Sequence, residues 1–230
     1  SDTSFLNTGL TTIGNDNTDS STFTGGLDAV SAGGVSIAGT VATTDTAMDL
    51  GATTQTANST LKSGTGAITV ASMTGDFDLT LQSNVAGATG GVTFTGDLAA
   101  NSLITFAQGY AVTLQGTTNV IDSDTNFLNT GLTTIGNGAG DSSTFTGGLG
   151  AVSAGGVSIA GTVATTNQPM DLGATTMTAD ATLNSGGGAI AVASLNGGSH
   201  DLTIAAGTAG GTTTFSGAVT ALGDGTGAAL

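Results

Sequence analysis

Residues 66–96 read GAITVASMTGDFDLTLQSNVAGATGGVTFTG. Three apolar-polar-apolar triplets stand out: Ile68-Thr-Val70, Leu79-Thr-Leu81 and Val92-Thr-Phe94. An apolar period of two sends alternate side chains to opposite faces of an extended segment, which is the signature of a half-buried strand. The triplets start 11 (79 − 68) and 13 (92 − 79) residues apart, with Gly, Asn, Asp or Ser between them. Val35-Ser-Ile37, Ile104-Thr-Phe106 and Val112-Thr-Leu114 extend the rhythm to either side. The chain is therefore read as short strands punctuated by tight turns.

Composition agrees. Every one of the 16 acids is Asp, Glu and Arg are absent, and Lys62 is the one Lys/Arg residue, so the strong helix formers are depleted while Gly, Thr, Ser, Val and Asp supply strands and turns. The 38% apolar share is too high for a disordered acidic tail, because burial can offset chain entropy. With 8 Phe, 1 Tyr and no Trp, the predicted core is narrow and built of Val, Ile, Leu and a column of Phe. There is no Cys, which removes disulfides and thiolate metal sites. No charged-then-apolar leader and no run of about 18 apolar residues is present, so neither a signal peptide nor membrane insertion is expected in this segment.

A longer repeat lies over the short one. Phe5 to Thr44 recurs, with a handful of changes, as Phe127 to Thr166, an offset of 122 (127 − 5). Two architectures can use this pattern. A parallel β-solenoid would coil the chain in turns of roughly 20–25 residues with two or three strands each. Tandem β-sandwiches would make each 122-residue unit a separate bead. Sandwiches carry larger core aromatics and a visible linker, whereas the join Gln115–Asp122 contains Val120 and Ile121 and reads as another strand. The expectation is one continuous all-β solenoid over 1–230, with repeat units 1–122 and 123–230, the second incomplete.

The two copies differ mainly at turn-type positions. Asp16, Asn17 and Thr18 become Gly138, Ala139 and Gly140; Asp28 becomes Gly150; Asp45-Thr-Ala47 becomes Asn167-Gln-Pro169. The second copy gains a residue near Ser199-His200, since Leu79 corresponds to Leu202 at offset 123. Such exchanges suit surface loops between strands kept in register.

The phrases Gly91-Val-Thr-Phe-Thr-Gly96, Thr144-Phe-Thr-Gly-Gly-Leu149 and Thr213-Thr-Phe-Ser-Gly-Ala-Val219 resemble the Gly/Thr-rich repeats of large bacterial surface and secreted proteins of the filamentous-haemagglutinin and autotransporter-passenger type. That resemblance implies a right-handed parallel β-helix outside the cell or on its surface, serving as stalk, adhesin body or fibre subunit, with end-to-end self-association or continuation in a longer chain. The family's secretion domain and outer-membrane barrel are not recognisable in these residues.

Residues that could carry chemistry are few. His200, the one histidine, lies beside a Gly-Gly-Ser turn and is read as a solvated loop residue. Lys62 becomes Asn184 in the second copy, and without clustered cations the chain is not expected to bind nucleic acid. Asp122-Ser-Asp124-Thr-Asn126 imitates the opening of a calcium loop, but Phe127 stands where Gly is required and no Glu follows. Among the acids of Gly14-Asn-Asp16-Asn-Thr-Asp19, only Asp19 has an acidic counterpart, Asp141. No catalytic, cofactor or metal residue is assigned, no enzyme is expected, and weak calcium binding by turn carboxylates is kept as an alternative to plain solubilising charge. Thr54-Gln-Thr56 and Thr176-Met-Thr178 have the Thr-x-Thr form of flat ice-binding solenoids, but the pair does not recur on each coil, so ice binding is a secondary reading.

Overall fold

The computed structural model describes residues 1–207 and 210–223, and over these residues the chain is all β with no helix. The strands form a parallel solenoid whose successive coils stack in three columns, or faces. Parallel pairing follows from the topology: each strand meets its neighbour only after the chain has gone round the axis, so equivalent strands point the same way.

One column can be followed from residue to residue. Thr3 pairs with Leu27, Leu27 with Met48, Met48 with Ile68, Ile68 with Val92 and Val92 with Val112. It continues through Thr133, Val157, Thr175, Leu195 and Val219. The coil length along this face runs from 18 residues (175 − 157) to 24 (27 − 3). Ten steps at the usual interstrand spacing give a body about 48 Å tall.

The second face begins with Thr11–Ile13 and climbs through Val35, Thr53, Met73 and Leu98. The third begins with Ser20–Phe23 and climbs through Thr40–Thr43, Ser59–Leu61 and Leu79 to Leu103. Long strands turn corners: Met48–Lys62 supplies a rung to all three faces.

Inside, two residues per rung point inward. On the first face the position two after the Leu27 column is held by Ala29, Leu50, Val70, Phe94, Leu114 and Ile135, all buried. Each buried aliphatic contacts the rungs above and below, so stability accumulates by nearest-neighbour stacking. The join between repeat units is part of the body. Thr118–Ile121 pairs below with Ala99–Ala100 and above with Ser142–Phe145, as its reading as a strand anticipated. Its inward residues are Asn119 and Ile121, while Val120 faces outward.

The two sequence copies do not lie one above the other on the same face. Five steps from Leu27 along the first face reach Thr133; the chain then crosses the second face at Ser142–Phe145 and arrives at Leu149 on the third. The 122-residue offset (149 − 27) is thus five coils and two further faces. Local structure survives the rotation: Val35–Thr43 and Val157–Thr165 are both nine-residue strands with the same order of buried and accessible positions. The three faces are close to interchangeable, because each asks only for alternation and a turn that fits the corner.

One predicted triplet is corrected. Ile104-Thr-Phe106 was expected to point its apolar ends inward; the strand is Ser102–Ile104, Leu103 is buried and Ile104 faces outward. The register from Leu79 to Leu103 fixes this side-chain order. Beyond it, Thr105 takes over the link to the next coil, its hydroxyl donating to Asn126 O at 3.1 Å and accepting from Leu128 N at 2.8 Å.

Candidate functional site

The residues singled out in the sequence are spread along the body. His200 closes the strand Ile190–His200, just after a turn in which Gly198 and Ser199 both have positive φ. The extra residue of the second copy is accommodated here, where pairing with the next strand shifts between Asn196 and His200. His200 Nδ1 lies 3.8 Å from Asp180 Oδ1, an exposed pair of the kind worth little in water. The same Asp180 oxygen accepts the backbone N–H of Asp201 at 3.0 Å. The bond that ties this turn to the coil below is thus the one from Asp201 to Asp180, with His200 beside it at the end of its strand.

Lys62 lies on the rim of a shallow groove of about 260 Å³ lined also by Thr22, Ala42, Thr44, Asp45 and Val85. The carboxylate of Asp45 is occupied: Oδ1 accepts from Thr65 N at 3.0 Å and from Thr65 Oγ1 at 3.2 Å. In the second copy Asn184 and Asn167 replace Lys62 and Asp45, so the corresponding corner has neither charge. The Asp45 to Asn167 exchange keeps one requirement, a backbone φ of +56°, which Asn and Asp tolerate better than most side chains.

The acids act on the backbone. Asp19 Oδ2 accepts the N–H groups of Asn15 and Asp16 at 2.8 and 3.2 Å, and Asp141 Oδ2 accepts those of Asn137 and Gly138 at 2.8 and 2.9 Å. The same turn is thus built twice, and the pairing of Asp19 with Asp141 in the sequence has a structural cause. Asp16 has no such duty in the second copy. The Thr18 N–H, and after it the Thr18 hydroxyl, hold its carboxyl below the ordinary range. Asp122 and Asp124 are exposed, Thr125 between Asp124 and Asn126 points inward, and the Asn126 amide donates to Asp124 Oδ2 at 2.7 Å. Asp122, Asp124 and Asn126 therefore share the outer face of an extended segment, which does not curl round a common centre as a calcium loop requires. Among the described residues no three acidic or histidine side chains come together as a cation site.

Thr54 and Thr56 are exposed, as are Thr176 and Thr178, but the rotation of the repeat puts the pairs on different faces. No single flat threonine array results from these two pairs.

Sequence reasoning missed a set of buried polar residues that tie coils together. Gln82 is fully buried: Oε1 accepts from Ser63 N at 3.0 Å and Gly64 N at 3.2 Å, and Nε2 donates to Ser63 Oγ at 3.0 Å and Gly90 O at 3.1 Å. Asn119 accepts from Leu98 N and donates to Gly116 O and Ser143 Oγ, reaching the coil below and the coil above. Tyr110, also fully buried, accepts from Phe106 N at 2.8 Å and donates to Leu81 O at 3.3 Å. For Asn119 the signal was its position two before Ile121, on the inward side of the alternation. A second omission is apolar: Leu6, Leu10 and Val30, with their counterparts Leu128, Leu132 and Val152, are all exposed on paired corner loops.

No family model, no curated protein and no solved structure matches the chain.

Proposed function

We propose that this chain is a non-catalytic structural segment of a bacterial extracellular β-solenoid, acting as an adhesin stalk or as a subunit of an extracellular fibre. The observation that carries the reading is the rotated repeat. A unit of 122 residues returns two faces further round the axis, with its strands and their burial order kept. Selection that keeps the coil while letting its facing drift preserves length and stiffness; a single binding or catalytic face would have to be held in one direction. The exchange of turn residues between copies, with Asp19 and Asp141 kept where they fix a turn, supports the same reading. The net charge of −15 then serves as solubilising charge along the rod. The Gly/Thr-rich phrasing that resembles filamentous-haemagglutinin repeats supports a position outside the cell.

The test is made on intact cells of the source organism. Antibodies to the 230-residue chain should decorate unpermeabilised cells or shed fibres, and the native polypeptide should run far longer than 230 residues if it is a stalk, or near that length if it is a fibre subunit. Labelling that requires permeabilisation overturns the reading.

A further inference from the structure

Leu128, Leu132 and Val152 are large apolar side chains held in the open at one corner of the body, with 43%, 47% and 66% of their surfaces accessible. They lie on two stacked loops, residues 128–132 and 152–156, where the chain passes from the third face to the first. The register carries Leu128 under Val152, each two residues past the pair Asn126 and Gly150. It carries Leu132 under Gly156, each one residue before the pair Thr133 and Val157. Leu132 Cδ1 lies 3.5 Å from where a Cβ on Gly156 would stand, and as a glycine that residue adds no side chain over the leucine.

Bonds hold the corner on both sides. Leu128 N donates to Thr105 Oγ1 and Thr130 N to Gln108 O in the coil below, both at 2.8 Å, and Gly155 N of the coil above donates to Gly131 O at 3.1 Å. Within the loop, the buried Asn129 amide donates to Gly131 O at 3.1 Å and to Thr133 Oγ1 at 3.2 Å. The three side chains are thus exposed although a coil is seated on either side of residues 128–132, and the backbone that presents them is fixed.

The coil does not ask for these residues: Phe127 and Asn129 take the inward positions and Leu128 an outward one. The first copy nevertheless has the same three, Leu6, Leu10 and Val30. Its exposed polar residues Asp16, Asn17, Asp45 and Asn58 have meanwhile become Gly138, Ala139, Asn167 and Asp180. Exposed apolar side chains that stay while exposed polar ones drift mark a contact surface.

Charge decides what can sit there. With a net charge of −15 and Lys62 as the one Lys/Arg residue, two copies repel wherever their carboxylates meet and have almost no opposite charge to offer each other. Residues 128–132 and 152–156 carry no charge. In the first copy Asp28 Oδ1 accepts from Val30 N at 3.1 Å, so a carboxylate touches that patch; in the second, Gly150 stands in place of Asp28 and the carboxylate is gone. The corner of the second copy is therefore where one molecule can meet another without bringing acids together. A two-fold axis through it lays the leucines of one molecule over Gly155 and Gly156 of the other, which makes the surface its own complement.

We infer that the corner formed by Leu128, Leu132 and Val152 is a lateral docking surface for the same corner of a second copy of this chain, giving a side-by-side pair of rods through an isologous contact. Three side chains make a small contact, so the association is weak and reversible. It goes beyond the stalk or fibre reading and is separable from it, since a stalk survives the failure of pairing and pairing survives a different cellular location.

The experiment uses the 230-residue protein in sedimentation across protein concentration and salt. The expected result is reversible dimerisation that strengthens as salt screens the carboxylates. Leu132→Asp and Val152→Asp put a charge on the patch at positions already open to water, and each should weaken dimerisation at least tenfold while the monomer keeps its thermal transition. Because the chain has no cysteine, Val152→Cys places one thiol at the contact, and Thr74→Cys places one on the exposed side of the second face as a control. A short bifunctional thiol reagent should link two Val152→Cys molecules and leave Thr74→Cys single. A protein that stays monomeric at millimolar concentration in high salt overturns the inference, as does association unchanged by both Asp variants or equal linking of the two Cys variants. Co-sedimentation of the monomer with phosphatidylcholine vesicles, lost in Val152→Asp, would assign the patch to a lipid surface and overturn it too.

Discussion

Leu27 and Leu149 are the same residue of the repeat, yet they stand on different faces: Leu27 lies between Thr3 and Met48 on the first, and Leu149 between Thr125 and Met170 on the third. Each is buried to the same degree, with 2% of its surface accessible. A leucine that serves equally well on either face shows how little the fold distinguishes them. It also makes every residue of one copy a reference for its counterpart, and most of what can be tested here follows from such comparisons.

Gln55 and Met177 are one such pair. Both occupy the inward position above an isoleucine, Ile37 and Ile159, and both are 2% accessible. Gln55 Nε2 donates to Asp78 O at 3.3 Å, but Oε1 is buried with no partner. An unpartnered buried acceptor costs about 1–3 kcal/mol, more than one long neutral hydrogen bond returns. Gln55→Met should therefore stabilise the protein by about 1 kcal/mol, raising the melting temperature by about 2–4 °C, and Met177→Gln should do the reverse. Thermal unfolding followed by circular dichroism measures both.

Gly161 has φ +70°, and a Cβ there would lie 2.3 Å from Asp141 O and 2.8 Å from Gly138 O. Gly39 is in the same position over Asp19 and Asp16, at 2.3 and 2.7 Å. The corner passes so close to the acid turn beneath that only hydrogen fits. Gly161→Ala should cost about 1–3 kcal/mol. Gly140, whose Cβ would meet nothing within 4 Å, is the control, and Gly140→Ala should stay within about 0.5 kcal/mol of the parent in denaturant unfolding.

How much of this was open to sequence reading depends on the level. Alternation placed Ile68, Val70, Leu79, Leu81, Val92 and Phe94 inward, and all are buried. It failed at Ile104, where two overlapping alternations, Leu103/Thr105 and Ile104/Phe106, compete and only the register to Leu79 decides. Turn acids were read as surface charge. Most are exposed, but Asp141 is buried, since its turn, unlike that of Asp19, is seated on the coil below through Ser142 N and Thr117 O. The rotation between copies was not legible at all. It depends on coil lengths between 18 and 24 residues, which corner geometry sets and hydrophobic pattern does not. The polar ties at Gln82, Asn119 and Tyr110 were hidden for a related reason: their partners are on neighbouring coils, out of reach of local pattern.

Tyr110 gives a pH-dependent readout, since it is the one tyrosine and the chain has no Trp. Burial, acting against weaker hydrogen bonds from Phe106 N–H and Thr105, raises its pKa above the ordinary 10.0. The phenol is neutral when protonated, so its contribution to stability is complete below about pH 10 and is lost as pH rises through the raised folded value. Tyrosinate absorbance should appear above pH 10 in the native protein and return to the ordinary midpoint in denaturant. Tyr110→Phe leaves Leu81 O without its donor and should cost about 1–2 kcal/mol.

The central claim is that one parallel ladder runs through the join of the two repeat units, and Val120 and Thr144 test it most directly. They are paired in register on neighbouring coils, outward-facing, on opposite sides of the boundary at residue 122. Because the protein has no cysteine, Val120→Cys with Thr144→Cys introduces the only two thiols. A short bifunctional thiol reagent should link them within one molecule in high yield under native conditions, and the yield should collapse in denaturant. Failure to link in the native protein, with both thiols reactive towards a monofunctional reagent, would mean that the units fold as separate beads and would contradict the solenoid.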